Sequence, residues 1–271
     1  MQKSKTTTLH APPTLTTPTV SIIMAAYNAT TTIKSSINSI LSQTYINWEL
    51  IVVDDCSSDD TVAIVELFAE SDSRIRLYIN EQNSGVATTR NVAISQAQGK
   101  WLAFLDSDDL WHKDKLEQQL QFSEESGAVI SYTATSYIDS KGNMSDYILT
   151  AEPELSYKTL LRRNIMSCSS VMVQRDNMIP FPDGYMHEDY AVWMQIIRNS
   201  GNAYGLDEPL LIYRIAENSK SSNRLRSARM TFNSYRKVGY SVFVAWLLTL
   251  RYSVHSITKR LAIRLDMRES R

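Results

Sequence analysis

Residues 101–109 read WLAFLDSDD, and this stretch decides the fold. An apolar run is followed at once by three carboxylates, those of Asp106, Asp108 and Asp109. Unpaired carboxylates are unfavourable inside a buried strand, and several carboxylates close together in a solvated loop repel one another. Carboxylates crowded at the carboxyl end of a strand in an α/β sheet indicate a bound cation or a polar ligand. The stretch therefore predicts a strand that ends at a ligand site.

The chain before this stretch repeats the pattern of apolar strand, polar loop and helix. Strands are predicted at residues 20–26, 49–53, 75–79 and 100–105, with a helix after each of the first three. This alternation predicts an α/β fold with a Rossmann-like, mostly parallel sheet flanked by helices. Polar residues follow the predicted strands at one edge, namely Tyr27, Asn28, Asp54, Asp55 and the acids between Asp106 and Asp109.

The pattern loosens after His112. Helices are predicted at residues 113–125 and 188–199, strands at 128–135, 169–174 and 210–215, and a hairpin turn at 139–143. We therefore expect one domain over residues 20–215, with a regular half at 20–112 and a less regular half at 113–215. Residues 1–19 are rich in Thr and Pro, which predicts a disordered leader.

The charged residues are unevenly distributed along the chain, although its net charge is only −1. From Arg214 to the C-terminus there are 13 Lys and Arg against 3 Asp and Glu. A basic, apolar helical tail is expected over residues 216–271, and it favours phosphate or an anionic membrane face over nucleic acid. Cys56 and Cys168 are far apart and suggest neither a disulfide framework nor a zinc site, so a reducing, cytoplasmic compartment is expected.

The tail contains an apolar run at residues 238–250, VGYSVFVAWLLTL. Thirteen residues are too few to span a bilayer, which takes about 20. Basic residues bracket the run, so we interpret residues 236–264 as a peripheral contact with the inner face of the cell membrane. A buried core helix or a face that forms a homo-oligomer is the alternative interpretation.

Two acids also close the second predicted strand. Asp54 and Asp55 follow ELIVV, and one interpretation is that they only end the strand and cap the next helix. A carboxylate at this place can also accept the imide hydrogen of a uracil ring, with Tyr27 at the neighbouring strand end lying against that ring. Asp106 and Asp108, one residue apart, can share a divalent ion with a nucleotide diphosphate. Asp109 is given no role beyond entry into the next helix.

Three further residues carry candidate chemistry. Arg90 follows Gly85 on a predicted helix, where it is either an ordinary surface arginine or a cation that pairs with a phosphate or with the site carboxylates. Glu188 and Asp189 precede an amphipathic helix, and one interpretation is that they complement its N-terminus. The other is that one of them faces a sugar and deprotonates an acceptor hydroxyl.

Five motifs, taken in order and with their spacing, resemble those of family 2 glycosyltransferases with the GT-A fold. They are VSIIMAAYNA, ELIVVDDCSSDDT, NSGVATTRN, WLAFLDSDD and HEDYAVW, and the match covers residues 20–215. The resemblance implies an inverting transfer from a nucleotide-activated sugar, with Mn²⁺ or Mg²⁺ as cofactor. The chain departs from the family at Cys56, where glycine is frequent, and this should alter only the turn.

The resemblance also implies roles for individual residues. By position, Asp189 resembles the catalytic base, with Glu188 as second choice, and residues 20–112 and 113–215 become the nucleotide-sugar and acceptor halves. With Arg90 added, the expected donor-binding residues are Tyr27, Asp55, Arg90 and Asp106, and the metal ligands are Asp106 and Asp108. The expected activity is hexosyl transfer, with a UDP-sugar as donor, to a hydroxyl of a glycan or lipid-linked acceptor in bacterial cell-surface polysaccharide synthesis.

Two other functions remain open at this stage. Asp106-Ser107-Asp108 echoes the nucleophile motif of haloacid dehalogenase-like phosphotransferases, although Asp109-Leu110 does not continue that motif. A receiver-like binding module, with Asp54 and Asp55 as its acidic pocket, would be non-enzymatic. That module is much shorter than this chain and needs a lysine at a later strand end, for which no candidate is evident.

Overall fold

The computed structural model of the 271-residue chain describes residues 6–8, 17–215 and 224–254. Within these residues, ten strands form a single mixed sheet. The strands are β1 (Thr6–Thr8), β2 (Val20–Ala26), β3 (Trp48–Asp54), β4 (Ile75–Asn80), β5 (Trp101–Phe104), β6 (Leu110–Trp111), β7 (Ile130–Ile138), β8 (Glu154–Leu155), β9 (Met172–Gln174) and β10 (Ala203–Arg214). Their order is β1-β4-β3-β2-β5-β9-β7-β10-β6, and β8 pairs with β10.

Helices cover both faces of the sheet. They are α1 (Ile33–Leu41), α2 (Thr61–Ser71), α3 (Val86–Ser95), α4 (Lys115–Glu125), α5 (Tyr157–Leu160), α6 (Glu188–Ser200), α7 (Arg224–Lys237) and α8, at residues 242–254. Side chains alternate between the faces of each strand, so the sheet has two apolar cores. One core contains Ile33, Val65 and Leu116, from α1, α2 and α4. The other contains Ala93, Trp193, Tyr235 and Ala245, from α3, α6, α7 and α8.

The predicted parallel sheet is confirmed in its first half. β4, β3, β2 and β5 are neighbours and run parallel, so their carboxyl ends lie at one edge. β9 then pairs antiparallel with both β5 and β7, and β10 runs parallel to β7. The sheet is therefore mixed, and the antiparallel β9 joins the regular half to the later strands.

The last predicted strand is longer than its sequence pattern indicates. β10 begins at Ala203, whereas residues 210–215 alone were predicted. The charged residues and proline of Asp207-Glu208-Pro209 interrupt the apolar pattern, and the register with β7 shifts between Leu206 and Leu211. A bulge accommodates such residues inside a strand, which is why the pattern concealed the first half of β10.

Both ends of the chain lie partly outside the described residues. In the predicted leader, β1 pairs antiparallel with β4 at the edge of the sheet, and residues 1–5 and 9–16 lie outside the description. In the tail, residues 216–223 and 255–271 lie outside it, including the last part of the membrane contact expected at 236–264. None of the described helices has both the length and the apolar composition that crossing a membrane would require.

Candidate active site

The loops after β2 and β3 are tied together at the carboxyl edge of the sheet. The backbone N–H of Asn28 donates to Ser57 Oγ at 2.9 Å, and the Ser58 N–H donates to Asn28 Oδ1 at 2.9 Å. Asn28 and Cys56 both have positive φ, 48° and 64°. Cys56 thus keeps the left-handed backbone that favours glycine at this turn. The neighbouring Tyr27 is 52% exposed, so its ring is available to a ligand.

Asp55 links β3 to the N-terminus of α3. Its Oδ1 accepts hydrogen bonds from Asn80 Nδ2 at 2.9 Å and from the Ser84 N–H at 2.8 Å. Its Oδ2 accepts from the N–H of Gly85 at 2.8 Å, and Gly85 has a φ of +84°. A carboxylate can accept about four hydrogen bonds, so one acceptor position remains for a ligand. The sequence analysis did not select Asn80 as a site residue. Asn80 is a polar residue at the end of a strand, which is the same pattern that identified Asp55.

Arg90 is not a surface arginine, because its side chain joins two of the predicted site acids. Its guanidinium is buried and donates to Asp106 Oδ1 at 2.5 Å and to Glu188 Oε1 at 2.7 Å. It also lies 5.4 Å from the centre of the Phe181 ring. Burial alone would lower the pKa of Arg90, but the charges of Asp106 and Glu188 raise it above its usual value. Of the two functional roles considered for Arg90, pairing with a phosphate or with the site carboxylates, the geometry agrees with the second.

Asp189 lies in the first turn of α6, directly after Glu188. It is half-buried, and its Oδ1 accepts from the Tyr190 N–H at 2.7 Å. Burial, followed by the charge of Glu188, raises the pKa of Asp189 to about 7, and Arg90 acts in the opposite direction. Among the described residues, Glu188 is held by an arginine and Asp189 forms no ion pair. A carboxylate of this pKa can take up a proton near neutral pH.

Asp108 has the environment of a carboxylate whose negative charge is only partly compensated, by the positive charges of Arg214 and Arg90. Burial, and then the charge of Asp106, raises its pKa to about 6. No group of three or more His, Cys, Asp or Glu side chains within the described residues is placed to hold a metal. Mg²⁺ typically uses one or two protein carboxylates together with phosphate oxygens, so Asp106 and Asp108 fit a cation that binds with a diphosphate.

The interpretation of Asp109 as no more than an entry to the next helix is wrong. The residue is 1% exposed. Its Oδ2 accepts from Ser169 Oγ at 2.7 Å, and its Oδ1 accepts from the Arg214 N–H at 2.9 Å. Arg214 Nε also donates to the backbone oxygen of Asp108 at 2.9 Å. Asp109 therefore attaches the acidic loop to Ser169 and to β10, in the later half of the sheet.

Ser169 was also missed as a residue of the site. Its Oγ accepts from the Asp106 N–H at 3.0 Å while it donates to Asp109. The sequence carries no signal for this role, because Ser169 lies in a run of small residues, SCSS, 60 positions after Asp109. Only the pairing of β9 with β5 brings this run to the acidic loop.

Comparison with known proteins identifies the family of the chain. The family described as Glycosyl transferase family 2 matches residues 21–179. The chain is 38% identical over 248 residues to TuaG, a glycosyltransferase of Bacillus subtilis assigned to teichuronic acid biosynthesis, and covers 98% of that relative and 90% of its own length. It is 39% identical over 212 residues to the Escherichia coli UDP-Glc:α-D-GlcNAc-diphosphoundecaprenol β-1,3-glucosyltransferase WfgD, covering 82% of that relative and 78% of its own length.

Solved structures show the same fold. TarS of S. aureus in complex with UDP-GlcNAc superposes with a TM-score of 0.67 at 24% identity, covering 85% of this chain and 70% of TarS. The mannosyltransferase PcManGT of Pyrobaculum calidifontis, in complex with GDP-Man and Mn²⁺, gives a TM-score of 0.66 at 18% identity, covering 94% and 79%. The expected GT-A fold is thereby confirmed.

The two other functions considered from the sequence are wrong. The family match spans the acids that suggested a haloacid dehalogenase-like phosphotransferase and those that suggested a receiver-like module. The full-length relatives carry the name glycosyltransferase. The chain belongs to glycosyl transferase family 2 and is a glycosyltransferase.

Proposed function

We propose that this glycosyltransferase moves a hexosyl group from a UDP-sugar to a hydroxyl of a lipid-linked glycan, with inversion at the anomeric carbon, in cell-surface polysaccharide synthesis. The observation that carries the proposal is the half-buried Asp189, whose pKa is raised to about 7 beside a carboxylate that an arginine already holds. Relatives that name such donors and acceptors support the choice of substrates.

The donor binds at the edge formed by β2, β3 and β5, in the half at residues 20–112. The remaining acceptor position of Asp55 receives the N–H of the base, and the exposed ring of Tyr27 lies against it. Arg90 holds Asp106 in place below the ribose and the diphosphate. TarS, which shares the fold, is known in complex with UDP and with UDP-GlcNAc, and this supports a uridine nucleotide.

A divalent cation, Mn²⁺ or Mg²⁺, would be held by Asp106 and Asp108. When bound, it supplies positive charge to the diphosphate that leaves. The raised pKa of Asp108 supports this placement, because two neighbouring carboxylates without a cation repel each other. The related fold of PcManGT was solved with Mn²⁺.

Asp189 acts as the general base. The acceptor hydroxyl gives its proton to the Asp189 carboxylate while its oxygen bonds to the anomeric carbon. The bond from that carbon to the diphosphate oxygen breaks on the opposite face, and the electron pair leaves with the nucleotide. A single displacement of this kind inverts the anomeric configuration. Glu188, paired with Arg90, keeps the positive charge of Arg90 close to Asp189 without taking the proton itself.

The acceptor lies in the half at residues 113–215, and α8 brings this half to a membrane. One face of α8 packs in the core through Ala245 and Thr249. The opposite face exposes the apolar side chains of Phe243, Trp246 and Leu250, at 72%, 55% and 62%. Residues three and four apart share a helix face, so these side chains form one stripe. Exposed basic residues flank the stripe, namely Arg236, Lys237 and Arg251.

α8 packs against the core on one side, as the alternative interpretation of the apolar run expected, and exposes this stripe on the other. A stripe of exposed aromatic and aliphatic side chains flanked by basic residues suits an interfacial helix on anionic lipid. We place the enzyme at the cytoplasmic face of the cell membrane, where a lipid-linked acceptor would present its glycan.

The role of Asp189 is tested with the variant Asp189→Asn. We expect kcat to fall about 10²–10⁴-fold, the usual contribution of a general base. Donor binding, measured by calorimetry with UDP-sugar and Mn²⁺, should stay within about twofold of the wild type, because the base does not contact the nucleotide. Retained transfer would mean that another group accepts the proton.

A further inference from the structure

The hydroxyl of Ser234, on α7, binds both polar groups of the His187 backbone, and His187 directly precedes Glu188 and Asp189. The hydroxyl oxygen accepts from the His187 N–H at 3.1 Å, and the hydroxyl donates to the His187 backbone oxygen at 3.0 Å. The backbone oxygen of Met230, one turn earlier on α7, is a second acceptor at 3.1 Å. Ser234 is 0% exposed, so bulk water does not compete for these hydrogen bonds. α7 therefore fixes the backbone just before the two acids.

Tyr235, the next residue of α7, holds the residue directly after Asp189. The hydroxyls of Tyr235 and Tyr190 lie 3.0 Å apart, and the two buried rings meet edge to face with their centres 5.8 Å apart. The Tyr190 hydroxyl is also 2.7 Å from the backbone oxygen of Leu160. Tyr190 in turn donates its backbone N–H to Asp189 Oδ1 at 2.7 Å. Tyr235 is therefore joined to the Asp189 carboxylate through a single residue.

The segment that carries the proposed base is thus held from two sides. Arg90, on α3, binds Glu188 Oε1 at 2.7 Å, while α7 holds His187 and Tyr190 on either side of the two acids. Asp189 itself forms no ion pair within residues 17–215 and 224–254, so its position depends on the backbone that carries it. A general base must lie within hydrogen-bond reach of the proton that it takes, and a displacement of about 1 Å can cost about 10²-fold in rate.

The buried face of α7 is more polar than a helix that only covers a core would need. Among the described residues of α7, four side chains are buried, and three of them bear hydroxyls: Met230, Thr231, Ser234 and Tyr235. A buried hydroxyl is unfavourable unless it is hydrogen-bonded. Two of these hydroxyls, those of Ser234 and Tyr235, use their hydrogen bonds on residues 187–190 rather than only within their own helix. This pattern indicates a role in the site, although α7 belongs to the stretch that was expected to be a basic tail.

We propose that Ser234 and Tyr235 are positioning residues of the transfer reaction, which hold Asp189 where it meets the acceptor hydroxyl. The inference rests on the proposed function, in which Asp189 is the general base. It extends the catalytic unit beyond residues 20–215, because α7 then completes the support of the base that Arg90 begins on the opposite side.

The test is a double-mutant cycle that combines Ser234→Ala or Tyr235→Phe with Asp189→Asn. Transfer is measured from UDP-glucose to α-D-N-acetylglucosamine diphosphate carrying a short alkyl chain. The value of kcat is divided by the number of donor sites that calorimetry finds, so that unfolded molecules do not count. With Asp189 present, we expect each variant to lower kcat per site about tenfold and to leave KM for UDP-glucose unchanged. In Asp189→Asn, neither variant should lower kcat per site further, because no base remains to be positioned.

Thr231→Val and Tyr240→Phe are the matched controls. The Thr231 hydroxyl is buried on α7 and donates within the helix, to the backbone oxygen of Ser227 at 3.0 Å. The Tyr240 hydroxyl lies 3.1 Å from that of Tyr157. Neither hydroxyl binds residues 187–190, so both variants should keep kcat per site within about twofold of the wild type.

Two results would overturn the proposal while leaving the proposed function intact. One is an unchanged kcat per site in Ser234→Ala and Tyr235→Phe. The other is an equal loss with and without Asp189, which would show that both residues support the fold and not the base. Full transfer by Asp189→Asn would instead refute the base itself, and this inference with it.

Hydrogen exchange gives an answer even if the wild type transfers no sugar to this probe. The amides of residues 187–191 are followed by mass spectrometry in Ser234→Ala, Thr231→Val and the wild type. Faster exchange of these amides in Ser234→Ala alone supports the attachment of the segment to α7. Equal exchange in all three proteins refutes it.

Discussion

Asp106, Asp108 and Asp109 lie within four positions of one another, yet their surroundings differ. Asp106 is paired with Arg90, and Asp109 is buried and bonded to Ser169 and to the backbone of Arg214. The side chain of Asp108 forms no ion pair among residues 17–215. Burial and the charge of Asp106 raise its pKa to about 6, although Arg214 and Arg90 act in the opposite direction. Fixed carboxylates on both sides leave Asp108 as the acid that a cation would stabilise most.

Substitution by alanine should separate Asp108 from Asp109. Asp109→Ala leaves the hydroxyl of Ser169 and the N–H of Arg214 without their acceptor, so we expect the free energy of unfolding to fall by about 1–3 kcal/mol. Asp108→Ala removes a repelled charge and should leave stability within about 0.5 kcal/mol of the wild type. Chemical denaturation measures both effects.

For donor binding we expect the larger effect from Asp108→Ala and the smaller effect from Asp109→Ala, the reverse of their effects on stability. Asp108→Ala is expected to abolish the gain in UDP-sugar affinity that Mn²⁺ produces, whereas Asp109→Ala should keep most of it at a temperature where the variant is folded. Equal stabilities for the two variants, or a Mn²⁺ effect that survives in Asp108→Ala, would contradict the roles assigned to these acids.

Three elements meet through one chain of charged side chains. Asp106 at the end of β5, Arg90 on α3 and Glu188 at the start of α6 are linked by the two ion pairs of Arg90. Asp189 is next to Glu188. Burial is the larger cause of the raised pKa of Asp189, and the negative charge of Glu188 is the second. Glu188 on α6 and Arg90 on α3 therefore act in opposite directions on the pKa of Asp189, the proposed base.

The pH dependence of transfer should reveal this coupling. The base works only when it is ionised, so kcat/KM should fall as pH drops through about 7, the raised pKa of Asp189. Glu188→Gln removes the neighbouring negative charge, which lowers the pKa of Asp189 and moves this acid limb to lower pH. The measurement is kcat/KM between pH 5 and pH 9, with melting followed in the same buffers.

Glu188 was the second choice for the base, and the same variant decides between the two acids. If Glu188 were the base, Glu188→Gln would abolish transfer at every pH. Transfer that persists with an unmoved acid limb would instead show that the pKa of Asp189 does not depend on Glu188.

The sequence predicts an element when the pattern of that element lies within a short stretch of the chain. The parallel strands β2 to β5 are continuous apolar runs that end in polar residues, so their pattern predicts both the strands and the edge that carries Asp55 and Asp106. The first half of β10 is hidden, because a bulge around Pro209 breaks its pattern. Asp109 and Ser169 acquire their roles only when β9 inserts between β5 and β7, a pairing that no local pattern specifies.

For the whole molecule, the role proposed for the exposed stripe of α8 is to bring the enzyme to an acceptor at a membrane. Replacing Trp246 and Leu250 by serine should reduce binding to vesicles that contain anionic phospholipid about tenfold or more, because each exposed apolar side chain contributes its burial in the interface. Cosedimentation with the vesicles measures the effect. The serine variant also loses the contact between the Trp246 and Phe232 rings, whose centres are 5.1 Å apart, so its melting temperature should fall by about 2–4 °C and binding is measured below that transition.

A matched control uses apolar residues that are equally exposed elsewhere. Ile46 and Leu67 are 73% and 67% exposed and lie far from the tail in sequence, so Ile46→Ser with Leu67→Ser should leave vesicle binding unchanged. Unaltered cosedimentation of the Trp246 and Leu250 variant would contradict the membrane contact. Loss of a dimer in that variant, measured by light scattering, would instead assign the stripe to a second copy of the chain.

The anomeric configuration of the product tests the central claim most directly. The wild-type enzyme is incubated with a UDP-sugar of α configuration and a diphosphate-linked acceptor, and the new linkage is assigned by NMR. A single displacement with Asp189 as the base predicts a β linkage. An α linkage would contradict the account, because it would require a mechanism that retains the anomeric configuration.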